Sequence, residues 1–328
     1  MKVLAFSTRK DERVFLTQAF DQAGQQIAFE EAHLNAGTAA LAQGYDAVTV
    51  FVNDQVNAAV VDTLSNLGVR VIALRCAGYN NVDLDAAKAA GISVVRVPAY
   101  SPYAVAEHAV ALLLALNRHI HKAYNRVREG NFSLDGLLGS DIHGKTVGVI
   151  GTGTIGQVFC KIMCGFGARV IAYDPFPSDA CLALGVEYVE LNQLYAQSDI
   201  LSLHCPLTPD SQHLIDADAL AKVKSGVILI NTSRGGLVDT YAVIQGLKSH
   251  RIGGLALDVY EEEADLFFED LSDQVIDDDE LMRLTTFPNV IITGHQAFLT
   301  QEALTNIANT TAQNLRELEQ VGRSQNQL

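Results

Sequence analysis

Gly151-Thr-Gly153-Thr-Ile-Gly156 directly follows the apolar run Val147 to Ile150 and opens a helical pattern that continues through Phe166. In that setting the first glycine permits a tight turn, the second lets the backbone approach a pyrophosphate, and the third lets helix pack on strand. The helix N-terminus then faces an anion. The next strand ends at Asp174, 18 residues beyond Gly156 (174 − 156). A carboxylate there accepts hydrogen bonds from adenosine ribose hydroxyls and repels a 2′-phosphate, so the spacing predicts NAD rather than NADP. Three further residues each follow a strand-like run. Arg234 stands in Asn231-Thr-Ser-Arg-Gly-Gly236, Glu263 lies just beyond Leu257-Asp-Val-Tyr260, and His295 follows Ile291-Ile-Thr-Gly294. A guanidinium fork in a glycine-flanked turn suits bidentate capture of a carboxylate. A glutamate beside a histidine favours the imidazolium and orients it to give a proton. Singly, each has an ordinary reading as a surface ion pair, an acidic loop residue or a core histidine; their common place after successive strands makes them a candidate site.

Two series of strands must position these groups. Val3 to Phe6, Ala47 to Val52, Val69 to Leu74 and Ile92 to Val95 are short β-branched runs separated by helical patterns such as Arg13 to Ala23. Tyr100-Ser-Pro102 interrupts the chain, and a single long helix is predicted over Ala104 to Arg128, too apolar for an exposed helix and placed to cross between two domains. Asn131 to Gly144 reads as a loop. A second series begins at Lys145 to Ile150 and continues through Arg169 to Tyr173, Ile200 to Leu203, Val227 to Ile230, Leu255 to Val259 and Val290 to Thr293. Alternation of this kind predicts an α/β fold of two doubly wound parallel sheets. A final helix, Gln301 to Leu318, is left free to cover either domain.

Composition narrows the partners. The 328 residues suggest two domains at about 150 residues each. With 23 basic and 38 acidic residues the formal charge is −15, which argues against a nucleic-acid surface. Twelve carboxylates and no base lie between Asp258 and Glu280, so −15 less that −12 leaves −3 for the rest. Apart from Glu263, that run reads as a solvated acidic loop. The most apolar window, Ala104 to Leu116, holds Glu107 and His108 and is too short for a bilayer, and the first residues reach Arg9, Lys10 and Asp11 before any secretory apolar run. No membrane partner is expected. The five cysteines, Cys76, Cys160, Cys164, Cys181 and Cys205, sit in apolar segments and predict buried thiols in a reducing cytoplasm. Cys160 and Cys164 share a helix face but are too few for a closed metal site, so no metal is expected.

In order along the chain, Gly151 to Gly156, Thr232-Ser-Arg-Gly-Gly-Leu-Val-Asp239, Leu257-Asp-Val-Tyr-Glu-Glu-Glu263 and Gly294-His295 resemble the D-isomer-specific 2-hydroxyacid dehydrogenases. Arg75-Cys-Ala-Gly-Tyr-Asn-Asn-Val-Asp83 and Val97-Pro-Ala-Tyr-Ser-Pro102 extend the likeness over nearly the whole chain. Within the family it resembles the D-lactate dehydrogenase branch, because Glu263 is followed by Ala-Asp-Leu-Phe-Phe-Glu-Asp270 where many relatives place a proline. The resemblance implies a discontinuous flavodoxin-like substrate domain, residues 1–100 and 299–328, around a Rossmann NAD-binding domain, residues 101–298. It implies reduction of pyruvate to D-lactate with NADH: Arg234 binds the carboxylate and polarises the keto group, His295 protonates the carbonyl oxygen, and Glu263 keeps His295 protonated. Coenzyme contacts carry over to Gly151, Gly153, Thr154, Ile155, Gly156, Asp174, Cys205, Pro206, Thr232, Ser233 and Asp258. Substrate contacts carry over to Ala77 and Gly78 and to the aromatic Phe51, Tyr100 and Phe298, which leave room for a methyl group and crowd larger substituents. Closure would exclude water, with hinges near Tyr100 and Phe298. Another 2-keto acid, bulkier than pyruvate or hydroxypyruvate itself, is the alternative substrate, and an NAD-sensing scaffold without turnover is the alternative function. The apolar helix Ala104 to Arg128 suggests a homodimer or a homotetramer of dimers.

Overall fold

Two series of aliphatic strands, each interleaved with helices, fold as two units in the computed structural model, which describes residues 1–263 and 266–328. One unit comprises Met1–Ser101 with Leu299–Leu328, the other Pro102–Phe298. Ala264 and Asp265, which begin the departure from the family pattern after Glu263, lie outside the described residues.

The first unit runs β1 (Lys2–Ala5), α1 (Lys10–Ala23), β2 (Gln26–Phe29), β3 (Ala47–Val50), α2 (Ala58–Asn66), β4 (Val71–Leu74), α3 (Leu84–Ala89) and β5 (Ser93–Val95). The sheet is wholly parallel in the order β2-β1-β3-β4-β5, the flavodoxin order. Strands buried on both faces need near-continuous apolar runs, which Val71 to Leu74 supplies and Ala47 to Val50 supplies except at Thr49. At the heart of the unit Arg75 is fully buried, its Nε 2.9 Å from Glu12 Oε1, its Nη1 2.7 Å from Thr49 Oγ1 and its Nη2 2.9 Å from the Phe6 carbonyl. Removing one partner of such a pair would leave an uncompensated charge in the core.

The second unit runs α4 (Pro102–Asn117), α5 (Ile120–Arg128), β6 (Thr146–Ile150), α6 (Thr154–Gly165), β7 (Arg169–Tyr173), α7 (Asp179–Ala183), β8 (Glu187–Tyr188), α8 (Leu191–Gln197), β9 (Ile200–Leu203), α9 (Ala217–Lys222), β10 (Val227–Asn231), α10 (Thr240–Lys248), β11 (Ile252–Leu257), α11 (Asp279–Thr285) and β12 (Val290–Ile292). Its parallel sheet has the order β12-β11-β10-β9-β6-β7-β8. From β8 to β11 that is the Rossmann order, with β12 added at the edge. Helix α4 buries Ala106, Ala109, Leu112, Leu113 and Leu116 against this sheet and α6, which accounts for its all-round apolarity.

The first unit is completed by α12 (Gln301–Val321), which buries Ala308, Ala312 and Leu315 against α1 and the first sheet. Beyond it, the chain pairs with the edge strand β5: the Arg96 amide donates to the Asn326 carbonyl at 3.1 Å and the Leu328 amide to the Val94 carbonyl at 2.9 Å.

The structure differs from the sequence expectation in two places. The helix expected over Ala104 to Arg128 is two helices, because His119 turns into the left-handed region at φ 52° and breaks the hydrogen-bond ladder. Strands β2 and β8 were not expected. The final helix, which the chain pattern left free to cover either domain, belongs to the first unit. Among the described residues no helix is long and apolar enough to cross a membrane, and Cys160, Cys164, Cys181 and Cys205 are free thiols. Burial pushes the Cys160 thiol up, away from thiolate chemistry.

Candidate active site

The glycine loop sits at the carboxyl end of β6, where the strand order reverses between β6 and β9. Gly151 has φ 94°, and a Cβ there would lie 2.5 Å from the Cys205 amide nitrogen, so only glycine lets the loops after β6 and β9 meet. A Cβ at Gly156 would strike the Gly151 carbonyl. Gly153 caps α6 without a side-chain bond, and a Cβ added to it meets open space above the helix N-terminus. Thr154 and Ile155 form the first turn of that helix. At the end of β7, Asp174 is fixed by three donors: Thr152 N–H at 2.6 Å, Thr152 Oγ1 at 3.1 Å and Phe176 N–H at 2.8 Å.

The loops after β9 and β10 are joined where Ser233 Oγ donates to the Cys205 carbonyl at 2.7 Å. Burial pushes the Cys205 thiol up to about 11, so it stays neutral. Pro206 follows it on the surface. Among the described residues, the buried Thr232 Oγ1 has no hydrogen-bond partner, the condition of a hydroxyl waiting for a ligand. The free space over Gly153, the fixed ribose-side carboxylate and this orphaned hydroxyl fit NAD.

Strands β10, β11 and β12 are neighbours, so the loops carrying Arg234, Glu263 and His295 leave one end of the sheet side by side. Asn231 shapes the first: its Nδ2 donates to the Arg234 carbonyl at 2.8 Å and its Oδ1 accepts from Ser233 N–H at 3.0 Å. The Arg234 guanidinium is half-buried and reaches the Ser233 carbonyl at 2.7 Å. Glu263 Oε1 lies 2.8 Å from His295 Nδ1, while Oε2 accepts from Tyr260 N–H at 2.9 Å. With Nδ1 engaged by Glu263, Nε2 is the other imidazole nitrogen. His295 sits at φ 51°, and its amide donates to the Asp258 carbonyl at 2.7 Å.

Asp258 is fully buried. Its Oδ1 accepts from Thr293 Oγ1 at 2.5 Å and Gln296 N–H at 2.9 Å, and its Oδ2 from Ala297 N–H at 2.8 Å. His108 Nε2 approaches Oδ1 at 3.3 Å and Thr293 Oγ1 at 3.1 Å. Both oxygens of this residue, given to the coenzyme in the sequence reading, hold the loop that carries His295. The reading of the acidic run as solvated is corrected at two positions: Glu261 pairs with His213, and Asp278 accepts from Tyr260 Oη at 2.9 Å while capping α11.

On the first unit, Phe51 is buried, and Ala77 and Gly78 are half-buried in the turn after β4. Residues that the sequence reading passed over fix them: Asp54 Oδ2 accepts from Phe51 N–H at 2.6 Å, Asn81 Nδ2 donates to the Phe51 carbonyl at 2.8 Å, and Arg96 Nη1 donates to the Ala77 carbonyl at 2.8 Å. The Tyr100 carbonyl accepts from Asn306 Nδ2 at 2.6 Å. Phe298, on the second unit, is buried three residues after His295. His108 and Asn231 were also missed; an Asn at the end of an apolar strand, two residues ahead of Ser-Arg-Gly-Gly, was the one local signal available.

Comparison with known proteins adds three findings. A family model described as D-isomer specific 2-hydroxyacid dehydrogenase, NAD binding domain, matches residues 110–297. A D-lactate dehydrogenase of Escherichia coli K12 is 54% identical over 319 residues, covering 97% of both chains, and the apo-structure of the E. coli enzyme superposes with a TM-score of 0.93 over 100% of each chain at 50% identity. The pyruvate reductase of Chlamydomonas reinhardtii superposes with a TM-score of 0.94 at 47% identity, covering 99% of this chain and 97% of that one.

Proposed function

The chain belongs to the D-isomer-specific 2-hydroxyacid dehydrogenases, NAD-dependent oxidoreductases, and from that premise we propose that it reduces pyruvate to D-lactate with NADH. The observation that carries the reading is the Glu263–His295 pair, 2.8 Å apart, on loops that neighbour the one bearing Arg234. Relatives named for D-lactate and pyruvate support the choice of substrate.

The glycine loop and Asp174 would hold NADH, which would supply the hydride. Arg234 grips the substrate carboxylate with its fork and turns the keto group toward His295. Negative charge that builds on the carbonyl oxygen during reduction is stabilised by the guanidinium, and His295 Nε2 gives up its proton to it. Glu263 holds the ring by Nδ1 and balances the imidazolium until that proton leaves. In the reverse direction neutral His295 accepts the hydroxyl proton. Thr154, Ile155, Cys205, Pro206, Thr232 and Ser233 complete the coenzyme contacts in this reading, and Phe51, Ala77, Gly78, Tyr100 and Phe298 the substrate contacts. Ile120, Tyr124 and Val127 are exposed along one side of α5, and Phe132, Leu134 and Leu138 after it, which supports a homodimer or a tetramer of dimers. Cysteine thiols such as Cys160 and Cys181, buried and unoxidised, support a reducing cytoplasm.

The test is NADH oxidation with pyruvate, hydroxypyruvate, 2-ketoisocaproate and phenylpyruvate, with NADPH in parallel and chiral analysis of the product. Pyruvate should give the highest kcat/KM, and D-lactate should be the product. A preference for a bulkier acid, or no turnover of any, refutes the assignment.

A further inference from the structure

The turn bearing Arg234 and the segment leading to Glu263 meet backbone to backbone, since a Cβ at Gly235 would strike the Tyr260 carbonyl and the Glu261 amide nitrogen. Contact of bare backbones fixes a distance but not a register. One residue outside the proposed catalytic set touches both sides. The His213 amide donates to the Gly236 carbonyl at 2.8 Å, and the pairing continues from Ile215 N–H to the Leu237 carbonyl and from Asp239 N–H to the Ile215 carbonyl, both at 3.0 Å. From the same residue, imidazole Nε2 pairs with Glu261 Oε1. The other oxygen of Glu261 accepts from Thr240 Oγ1 at 3.1 Å, at the start of α10. A plain surface ion pair explains none of the backbone pairing, nor why His213 stands at φ 51°, in the left-handed region that side chains avoid.

We propose that His213 is a positioning residue: its backbone holds the Arg234 turn and its imidazole holds Glu261, so that guanidinium and the Glu263–His295 pair keep one register. This rests on the function proposed above. The groups facing the imidazole, Glu261, Asp239 and Asp216, are all acidic, and the bond to Glu261 foremost raises its pKa above the usual histidine value. The sign follows by linkage. A histidine whose pKa is raised on folding adds stability that is full below about pH 6.5 and fades as pH rises through the folded value. The lock is therefore tightest in mildly acidic solution.

The experiment measures kcat and KM for pyruvate from pH 5.5 to 9, the dissociation constant for NADH by its fluorescence, and Tm, on the full chain and its His213→Ala, His213→Gln and Glu261→Gln variants. Glutamine can place its amide nitrogen near Nε2 but cannot be protonated. His213→Ala should lose on the order of tenfold in kcat/KM, short of the ~10² that displacing a reacting group by about 1 Å costs, with NADH affinity retained. His213→Gln should recover most of that loss at pH 8 and less at pH 6. Glu261→Gln should resemble His213→Gln and stands in if the alanine variant does not fold. A lowered Tm with wild-type kcat, KM and pH profile would overturn the proposal, as would equal losses at every pH in the glutamine variants. Failure of the wild type to turn over any 2-keto acid would instead sink the function proposed above.

Discussion

Asp258→Asn separates two tasks for one buried carboxylate. If the side chain works for the coenzyme, the variant should bind NADH poorly; if it works for the loop that carries His295, turnover should fail while NADH binding survives. An asparagine keeps one acceptor and turns an NH2 group against a donor. Thr293 Oγ1 has a second partner in His108 Nε2 at 3.1 Å, so the deficit falls on the Gln296 and Ala297 amides, which the carboxylate holds at 2.9 and 2.8 Å. One buried N–H left without an acceptor costs about 1–3 kcal/mol. At roughly 2–4 °C per kcal/mol for a unit of this size, Tm should fall by about 2–12 °C, leaving the protein folded at 25 °C. Because Gln296 is the next residue after His295, relief of the strained amide moves the proton donor, and a shift of about 1 Å lowers kcat by ~10². Steady-state kinetics with saturating NADH, beside titration of NADH fluorescence, reads both quantities. Normal kcat with weakened NADH binding would refute the loop assignment and return Asp258 to the coenzyme.

The remaining expectations are briefer. Asp174→Ala should raise the NADPH-to-NADH ratio of kcat/KM by removing the carboxylate that repels a 2′-phosphate; an unchanged ratio assigns discrimination elsewhere. His295→Phe should lower kcat by about 10² or more with NADH binding intact, and near-normal turnover would rule out its role as acid. Glu263→Gln removes the anion 2.8 Å from Nδ1 that orients the ring, so kcat for pyruvate should fall while NADH binding survives. An unchanged kcat would mean that Glu263 serves only the Tyr260 amide.

What the sequence discloses is what short spacing encodes. Gly151 to Asp174 is one strand, one turn and one helix, so its function can be read along the chain. Arg234, Glu263 and His295 stood out because each closes a strand, and parallel strands bring their carboxyl ends together. Contacts between residues far apart leave no such trace: His108 meets Thr293 across 185 positions, and nothing in either neighbourhood announces it. The break at His119 was hidden because Arg118-His119 contains neither glycine nor proline, and the left-handed residue that ends the helix is one that a helix interior tolerates. Strand β2, Gln26-Ile-Ala-Phe29, is too short and too polar at its start to show a period. The acidic run misled for a related reason. Charge density describes the segment, while partners decide each carboxylate, and Glu261 and Asp278 have theirs in His213 and Tyr260.

Helix α12 has a bearing on how the protein is made. It covers α1 and the first sheet, and the residues after it satisfy β5, yet 197 residues, from 102 to 298, are synthesised between Ser101 and Leu299. A nascent chain leaving the ribosome therefore presents five strands whose cover and edge partner do not yet exist, while the second unit can fold as soon as its last strand emerges. The order of birth is thus opposite to the order of completion. The first-made unit waits, with an open β5 edge prone to unwanted pairing, until the interior of the chain has closed the distance between its two halves.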